Sequence, residues 1–541
     1  METKRIVLAI VLSMLVLLAW NYFIPPQQPR VEQGQQVADQ GAEPSATQEQ
    51  KTESQDLSKQ PIGPSDADMP DYESVAGQKI TVETPLYKAL FSSSGGILES
   101  FVLKKYKQTI QKGSKNIKLL NPTTLGKAPL GLLWNQKPTW SEAKWTLKGK
   151  DLNLRGQESG TLVLHGKMQD VNFVRRFKFQ ADSYQIKEVL SIQNKSQSTM
   201  QGIAGFSMAS EGLVDKESRY NKTSIDYFNS NGLEEKSDKD DLRVGIQSAE
   251  DVNWGGIASN YFLLAVVPTS KKMRLKGKYD QDIYRVALEA QTVVSGGTEQ
   301  NVQCTYYLGP KKAKNLAKAP NNLTTAIHYG WFDFIAKPLI KVLNFFYDYV
   351  GNYGVAIIFL TILIKIVFWP LSHKSYKSME QMKKLQPMMQ KLKEQYKDDR
   401  QKMNQELMQL YKTYKVNPAG GCLPMLLQIP VFIALYQALL GAIELRHAPF
   451  ITYVPFTDIF WLADLSAKDP FYVTPVLMGL SMFLQQKLSP STGDPTQAKI
   501  MMLMPVVLTF VFLSFPAGLV VYWLANNVLS IAQQWWMIRK A

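Results

Sequence analysis

The apolar and polar positions divide the chain into a polar middle and an apolar last third. Within residues 76 to about 310, short segments alternate apolar and polar residues, and turn signals such as SSSGG, NKSQS and VSGGTEQ separate them. The alternating segments are KITVET, GTLVLHGKM, VNFVRRFKFQ, YQIKEVLSIQN and DIYRVALEA. A period of two is typical of strands with one buried face, and no long helical period intervenes. We therefore predict an all-β domain over residues 76–320, of the antiparallel β-sandwich type.

The last third of the chain contains five apolar segments, each near the length of a membrane span. A further apolar run, Ile6 to Ala19, lies near the N-terminus. We therefore predict a multi-domain membrane protein with six spans, five of them in an α-helical core over residues 352–541. The predicted core spans are 352–371, 420–443, 470–487, 499–515 and 517–537.

The N-terminal apolar run follows Lys4 and Arg5 and ends in aromatic residues at 20–23. A cleavable signal peptide is one interpretation. No small-x-small cleavage site follows, however, so we favour an uncleaved signal-anchor helix over residues 1–24. Residues 25–75 are rich in Gln, Glu, Ser and Pro and nearly lack large apolar residues, which predicts a disordered tether.

Two further helical patterns flank the first core span. Residues 328–349 place apolar side chains at helical spacing, away from Lys337 and Lys341, which predicts an amphipathic interfacial helix. A helix that packs on the β-domain is the alternative. In residues 372–416 apolar residues recur at intervals of three and four residues on both sides of a polar break, which predicts a helical hairpin. Pro387 is predicted to kink the first helix of this hairpin. The methionines of this hairpin fit either adaptable contact with apolar segments or simple packing between its helices.

The net charge of +15 is unevenly distributed. Residues 31–73 carry ten acidic residues against two lysines, whereas residues 372–416 carry eleven Lys or Arg against five acids. A basic loop between spans follows the positive-inside rule, so we place this loop and both termini in the cytoplasm and residues 25–350 in the periplasm. The charge excess is weak support for nucleic acid, and we expect no specific DNA binding. Cys304 and Cys422 fall on opposite sides of the membrane in this topology, so no disulfide is predicted.

Lys365 lies inside the otherwise apolar run Val355 to Leu371. An ionisable residue within a span costs roughly 2.5–3.5 kcal/mol and is by default a functional-site hypothesis. It precedes Pro370 by about five residues, which places it roughly 8 Å from the cytoplasmic end of its span. Thr361 and Trp369 stand four positions before and after it, so the three side chains share one helix face. A lysine that snorkels to the headgroups is the alternative to a lysine in a hydrophilic cavity.

Polar residues recur along the other predicted spans as well. They are Gln428 and Gln437 in the third span, Thr474, Ser481 and Gln485 in the fourth, and Tyr522, Asn526, Ser530 and Gln533 in the sixth. Polar groups lack hydrogen-bond partners in hydrocarbon, so these side chains should face the bundle interior or water. Together with Lys365 they favour a shared cavity in the inner leaflet that opens towards the cytoplasm, with Gln428 and Asn526 in its lining.

Several stretches of the chain together resemble the bacterial YidC membrane protein insertases of the YidC/Oxa/Alb family. The matching stretches are TILIKIVFWPL (361–371), KVNPAGGCLPMLLQIPVFIALYQAL (415–439), ELRHAPF (444–450), QKLSPSTGDPTQAKIMMLMPVVLTFVFLSFPAGLVVYW (486–523) and NNVLSIAQQW (526–535). The resemblance covers residues 328–541 closely. The anchor, the tether and the large β-domain fit the Gram-negative members of the family.

This resemblance implies a membrane protein insertase and chaperone of the cell inner membrane, whose core spans enclose a hydrophilic groove closed to the periplasm. A positive residue in the groove would attract the polar segment of a substrate that must cross. Thr361, Lys365, Tyr522 and Trp523 match groove or substrate-contact positions of the family. The implied partners are nascent inner-membrane proteins, the phospholipid bilayer, SecYEG, SecDF and, through residues 372–416, the ribosome or the signal recognition particle. We expect no enzymatic activity, cofactor or metal, and no GxxxxGK[ST] nucleotide-binding motif is present.

The chain departs from the family pattern at two groove positions. Most members carry arginine where Lys365 stands, and many carry tyrosine where Trp523 stands. Lysine keeps the charge but loses the guanidinium fork, and a buried lysine can lose its proton where arginine cannot. The basic C-terminal ribosome-binding tail of the family is essentially absent after Trp535, so any ribosome contact would rest on the hairpin 372–416. Anionic lipid and solvent are the alternative surroundings of the basic residues in this hairpin.

Two other classes of function stay open on the sequence alone. A secondary transporter or channel needs a pathway open in turn to both sides and usually has internal repeats, and the spans show no clear repeat. A membrane-tethered module that binds or processes sugars would use the β-domain. No paired carboxylate site stands out there, and fold analogy is weak support for function.

Overall fold

The computed structural model describes residues 77–120, 128–214, 217, 221–397, 399–414, 416, 423–488 and 495–540. The predicted signal anchor (1–24) and tether (25–75) lie outside these residues. Within the described part, a β-domain comes first and a helical domain follows it.

Strands account for most of the β-domain. They are β1 (Lys79–Glu83), β2 (Tyr87–Ser92), β3 (Ile97–Lys107), β4 (Asn116–Lys118), β5 (Leu130–Trp134), β6 (Lys137–Pro138), β7 (Lys144–Lys148), β8 (Leu152–Asn153), β9 (Ser159–Met168), β10 (Val171–Gln180), β11 (Gln185–Asn194), β12 (Met200–Ser210), β13 (Ser224–Asn229), β14 (Gly232–Lys236), β15 (Ile246–Gln247), β16 (Trp254–Ala258), β17 (Phe262–Pro268), β18 (Arg274–Asp280), β19 (Ile283–Val294) and β20 (Glu299–Pro310). Three short helices accompany them, namely α1 (Thr139–Glu142), α2 (Lys239–Val244) and α3 (Ala313–Leu316).

The strands form a five-stranded, a nine-stranded and a six-stranded sheet. The five-stranded sheet has the order β4-β3-β2-β1-β8 and the six-stranded sheet the order β15-β18-β19-β12-β5-β6. Apart from the short parallel pair of β1 and β8, the strand pairs are antiparallel. One continuous apolar core includes inward-facing side chains of all three sheets, for example Phe91, Phe173 and Phe206. The prediction that this region is mostly β-sheet is therefore confirmed.

The nine-stranded sheet has the order β14-β13-β16-β17-β20-β11-β10-β9-β7. Strand β20 comes last along the chain but lies near the middle of the sheet. It pairs with β17 on one side and with β11 on the other.

Seven helices of the described residues belong to the helical domain. They are α4 (Asp333–Val350), α5 (Tyr353–Gln395), α6 (Arg400–Thr413), α7 (Leu423–Gly441), α8 (Val473–Leu488), α9 (Pro495–Phe512) and α10 (Ala517–Lys540). A short hairpin, β21 (Ile451–Tyr453) and β22 (Phe460–Leu462), lies between α7 and α8. Each of the five predicted core spans overlaps one of these helices.

Among the described residues, α5 alone is both long and apolar enough to cross a membrane by length and composition. Two shorter apolar helical stretches are Leu427–Gly441 and Met501–Phe512. The number of spans and the sides on which the loops lie therefore stay predictions.

Helix α5 contains both the predicted first core span and the first helix of the predicted hairpin. It runs without a break through Pro370 and Pro387, so neither proline ends it. Its 43 residues correspond to about 65 Å at 1.5 Å per residue, roughly twice the thickness of the hydrocarbon layer. Its far end packs against α6 through Leu385 and Met389, and the Tyr411 hydroxyl lies 3.8 Å from the Met389 sulfur.

The sequence at the α4–α5 junction explains why the chain turns there. Gly351 caps α4 with φ of +65°, a left-handed conformation that glycine adopts without strain. Asn352 then caps α5, because its side-chain oxygen accepts a hydrogen bond from the Val355 N–H at 3.1 Å.

The helical domain has its own apolar core. Helix α10 packs against α5 and α8, α8 packs against α9, and α4 packs against α5 and α7. Many large apolar side chains on the outer faces are exposed, such as Val367 on α5 (65%), Leu480 on α8 (60%) and Phe510 on α9 (70%). Exposed apolar surface on this scale is typical of contact with lipid or with another protein.

The two domains contact each other through the end of α7 and the segment that follows it. The Arg446 guanidinium donates hydrogen bonds to the carbonyls of Lys107 (2.9 Å) and Gln108 (3.3 Å) and lies 5.7 Å from the centroid of the Phe262 ring. The Asn260 amide donates to the Leu440 carbonyl at 3.3 Å.

Candidate functional site

Lys365 is held against α10. Its Nζ donates a hydrogen bond of 2.7 Å to the Ser530 hydroxyl, which in turn donates at 2.7 Å to the Asn526 carbonyl. The lysine side chain is half-buried and Ser530 is buried. No carboxylate of the described residues forms an ion pair with Lys365. The site therefore combines a positive charge with a neutral hydroxyl partner in apolar surroundings.

Thr361 and Trp369 flank Lys365 along α5 but have different surroundings. Thr361 is completely buried, and its hydroxyl donates to the Ile357 carbonyl one turn earlier at 2.7 Å. Trp369 is 38% exposed, and its ring centroid lies 5.6 Å from that of Trp536 on α10. Thr361 thus belongs to the packed interior, whereas Lys365 and Trp369 both lie along α10.

Tyr522 and Trp523 belong to a group of packed rings that we call the aromatic cluster. Its members are Phe432, Tyr436, Phe512, Phe515, Tyr522 and Trp523. The Trp523 ring lies 4.5 Å from Phe432 and 5.0 Å from Phe512 between centroids. The cluster fills the space where α7, the end of α9 and the start of α10 meet. Tyr522 precedes Ser530 by eight residues, a rise of about 12 Å along the helix.

Of the two polar residues assigned from helical geometry, Asn526 lies next to the Lys365 site. Asn526 is half-buried and lies one turn before Ser530. The Asn526 carbonyl accepts the hydrogen bond that the Ser530 hydroxyl donates. Gln428 on α7 is also half-buried and stands between the exposed Leu427 and Ile429. The structure joins Asn526 to the Lys365 site and does not join Gln428 to it by a hydrogen bond.

Other polar residues of the spans hold helices together. The Asn527 amide donates to the Ser481 hydroxyl at 3.0 Å, and the Gln534 amide donates to the Leu488 carbonyl at 2.7 Å, which ties α10 to α8. Asn527 and Gln534 were not predicted from the sequence, and Ser530 was predicted only as part of the polar stripe of its span. Asn527 and Gln534 are seven residues apart, which places them on the same face of α10. This spacing is the sequence pattern from which a polar face that contacts α8 could have been predicted.

Comparisons with known proteins bear on the family to which the chain belongs. The family model described as 60Kd inner membrane protein matches residues 345–541, and the model described as YidC periplasmic domain matches residues 79–342. A solved structure described as an active YidC insertase with its first transmembrane domain resolved covers 86% of this chain and 94% of its own. It is 19% identical with a TM-score of 0.36, which is too low to carry a conclusion.

Full-length relatives are considerably closer in sequence. The protein named membrane protein insertase YidC from Maridesulfovibrio salexigens is 51% identical over 546 aligned positions, covering 100% of this chain and 99% of the relative. The protein of the same name from Nitratidesulfovibrio vulgaris strain DP4 is 52% identical over 548 positions, covering 100% of both. The chain therefore belongs to the YidC family of membrane protein insertases.

Proposed function

We propose that this chain inserts nascent inner-membrane proteins into the bilayer and assists their folding, alone or with the Sec translocon. The relatives that match it over their whole length bear the name membrane protein insertase. The observation that carries the proposal is the Lys365–Ser530 hydrogen bond, in which an ammonium within an apolar helix has a neutral hydroxyl as its partner. An acidic or polar segment of a substrate would supply the missing opposite charge.

The proposed substrate path is a groove beside α10. The aromatic cluster would close the groove at the periplasmic end, and Lys365 would stand about two helical turns further towards the cytoplasm. In this proposal Tyr522 and Trp523 form the closed end, Lys365, Asn526 and Gln428 contact the polar segment, and Thr361 supports the wall behind Lys365. An arginine in place of Lys365 would keep the charge.

The proposed topology has six spans, with both termini and residues 372–416 in the cytoplasm. It follows from the charge distribution and from the order of α5, α7, α8, α9 and α10. The far part of α5 and the whole of α6 would then project into the cytoplasm. The exposed Met388 and Met408 of this projection would meet substrates, the ribosome or the signal recognition particle. SecYEG and SecDF are the proposed partners on the membrane and periplasmic sides.

The energetics allow transfer without nucleotide hydrolysis. Apolar residues at a helix centre contribute about −0.3 to −0.6 kcal/mol each, so a substrate helix of roughly 20 such residues gains about 6–12 kcal/mol. An acidic residue at the bilayer centre costs roughly 2.5–3.5 kcal/mol. At about 3 kcal/mol per acidic residue, a helix of this kind therefore offsets the transfer of a short tail with about two to four acidic residues. A cation along the path would lower the barrier further.

The test is insertion of a single-span protein with an acidic translocated tail into liposomes that contain only the purified chain. Protease protection of the tail measures insertion. We expect Lys365→Glu to reduce insertion at least tenfold and Lys365→Arg to retain it. Lys374→Glu is the matched control, because Lys374 lies on the same helix and is exposed.

Each outcome separates one part of the proposal from the rest. Insertion that is unchanged in Lys365→Glu would keep the insertase and discard the role of the charge. No insertion by the unmodified chain, with insertion restored by added SecYEG, would exclude autonomous activity. Flux of small solutes through the same liposomes would instead support the transporter class.

A further inference from the structure

A second polar site lies where the β-domain meets the helical domain. A cavity of about 340 Å³ opens there between β14, the segment 327–330 and the last turns of α7. Its size is at the lower end of the range of small-molecule sites. Glu235, Lys311, His328 and Gln437 contribute polar side chains to its walls.

Two buried side-chain oxygens in and beside the cavity wall accept no hydrogen bond from the described residues. Asp226 on β13 pairs directly with Glu235 on β14, so both carboxylates lie on the same face of the sheet. Asp226 is 1% exposed and its Oδ1 accepts no hydrogen bond from the described residues. The same holds for Oε1 of Gln437, whose amide lies against Gly330. The C-terminal end of α7 adds the partial negative charge of the helix dipole.

One basic group and one neutral donor balance these acceptors. Neither Lys311 nor Glu235 forms an ion pair with a described residue. His328 accepts a hydrogen bond at Nδ1 from the Gly330 N–H at 3.2 Å, which leaves Nε2 to carry the proton of the neutral ring. Desolvation by burial lowers the pKa of His328 and favours this neutral form. The cavity thus matches a ligand that carries an ammonium group and an anionic group within a few ångströms.

The surroundings of the cavity point to the bilayer as the source of such a ligand. Trp331 (91% exposed) directly follows the cavity wall in the short 3-10 helix Gly330–Phe332, and Phe334 (73% exposed) lies in the first turn of the amphipathic helix α4. Exposed aromatic residues of this kind lie at membrane–water interfaces. The cavity also adjoins the end of the apolar helix α7. In the proposed topology this end lies at the depth of the lipid headgroups.

We propose that this cavity binds the headgroup of an aminophospholipid, phosphatidylethanolamine in type, with the ammonium at Glu235 and Gln437 and the phosphate at Lys311 and His328. The bound lipid would join the β-domain to the helical domain. This proposal concerns a lipid ligand and does not depend on the path of the inserted substrate.

The test is native mass spectrometry of the full chain in detergent, titrated with dioleoylphosphatidylethanolamine or dioleoylphosphatidylglycerol. We expect the ethanolamine lipid to bind about tenfold tighter, which corresponds to about 1.4 kcal/mol. Glu235→Gln should remove that preference without weakening the glycerol lipid, whereas Lys311→Gln should weaken both lipids. The matched controls are Glu142→Gln and Lys314→Gln, which change exposed residues outside the cavity wall.

Equal binding of the two lipids, or a preference that survives Glu235→Gln, would overturn the proposal. Glycerophosphoethanolamine, the headgroup without acyl chains, distinguishes the source of the ligand. Comparable affinity for this soluble compound would replace the lipid with a soluble zwitterion and overturn the lipid assignment. Much weaker binding of the soluble compound would support it. Glu235 is exposed and Lys311 is half-buried, so thermal unfolding of the variants should match that of the unmodified chain.

Discussion

The guanidinium of Arg175 contacts all three large sheets of the β-domain. It is fully buried and pairs with Glu188 at 2.6 Å within the nine-stranded sheet. It also donates to the carbonyl of Gly96, next to the five-stranded sheet, at 2.9 Å, and to that of Leu130, in the six-stranded sheet, at 3.4 Å. The Tyr306 hydroxyl donates to the remaining Glu188 oxygen at 2.7 Å. A buried ion pair earns little net stability, but this one fixes how the sheets are placed relative to each other.

Asp226 makes the stability of the β-domain depend on pH. Burial, with a further contribution from the charge of Glu235, raises the pKa of Asp226 to about 7. The unfolded chain releases this proton near pH 4, so the folded state binds more protons between about pH 4 and 7. The contribution of Asp226 to the free energy of unfolding therefore falls as the pH rises from about 4 to 7, and it is constant above that range.

We expect Asp226→Asn to stabilise the chain at pH 8. The stability difference from the unmodified chain should become smaller as the pH falls towards 4. Asparagine cannot ionise, so the cost of a buried carboxylate disappears. Thermal unfolding followed by tryptophan fluorescence from pH 4.5 to 8 measures the difference. Asp170→Asn is the control, because Asp170 is exposed. A gain that is the same at every pH would show that Asp226 does not titrate in this range.

Residue spacing predicted part of the candidate site. The four-residue interval puts Lys365 and Trp369 on one face of α5, and both contact α10 in the structure. Periodicity gives the face of a helix and not its neighbour, so Ser530 could not be identified as the partner. Thr361 shares the face but lies deeper, because its hydroxyl is satisfied within its own helix and tolerates complete burial.

At the scale of elements, α8 packs tightly against α9 at Gly479. A Cβ atom at this position would lie 2.0 Å from the Thr509 hydroxyl oxygen and 3.2 Å from the Thr509 Cβ. The Thr509 hydroxyl is fixed by a 2.7 Å hydrogen bond to the Pro505 carbonyl. A side chain at residue 479 therefore requires that Thr509 change its rotamer and lose this hydrogen bond or that the two helices move apart.

We expect Gly479→Ala to lower the unfolding temperature, at a cost of about 1–3 kcal/mol typical of overpacking. Thr509→Ala removes the hydroxyl that the new Cβ would meet, so the double variant should recover most of the loss. Thr509→Ala alone is the control and should cost less than Gly479→Ala. Additive losses in the double variant would contradict a direct contact between the two positions.

The bounds of strands and helices followed from the sequence with varying success. The alternating segments at 160–168 and 171–180 correspond to β9 and β10 within one residue at their ends, because two-residue periodicity is strong where one face is buried. The length of α5 did not follow in the same way. A proline usually predicts a break, yet Pro370 and Pro387 both lie inside this helix.

At the scale of the whole molecule, Arg446 joins the two domains. Its hydrogen bonds to the Lys107 and Gln108 carbonyls join parts of the chain that are separated by 339 and 338 sequence positions, respectively. No local pattern could predict such pairs, because the relative placement of two domains depends on surfaces that meet only after each has folded.

We expect Arg446→Gln to loosen the joint between the domains without unfolding either. Hydrogen bonds to a charged donor contribute about 1.5–3 kcal/mol, so amide hydrogen exchange in the connecting segment 317–332 should accelerate roughly tenfold or more. Exchange measured by mass spectrometry checks this result. Arg155→Gln, at an exposed position of the β-domain, is the control. Unchanged exchange would mean that Asn260 and the other contacts hold the joint alone.

The central place of β20 constrains how the periplasmic domain is made. Without β20, the nine-stranded sheet consists of one piece with β14, β13, β16 and β17 and another with β11, β10, β9 and β7. In the proposed topology the chain is exported in the order of synthesis, so both pieces emerge before Glu299–Pro310. We therefore expect the sheet to close only when its last strand arrives, directly before the helices of the proposed insertase core enter the bilayer.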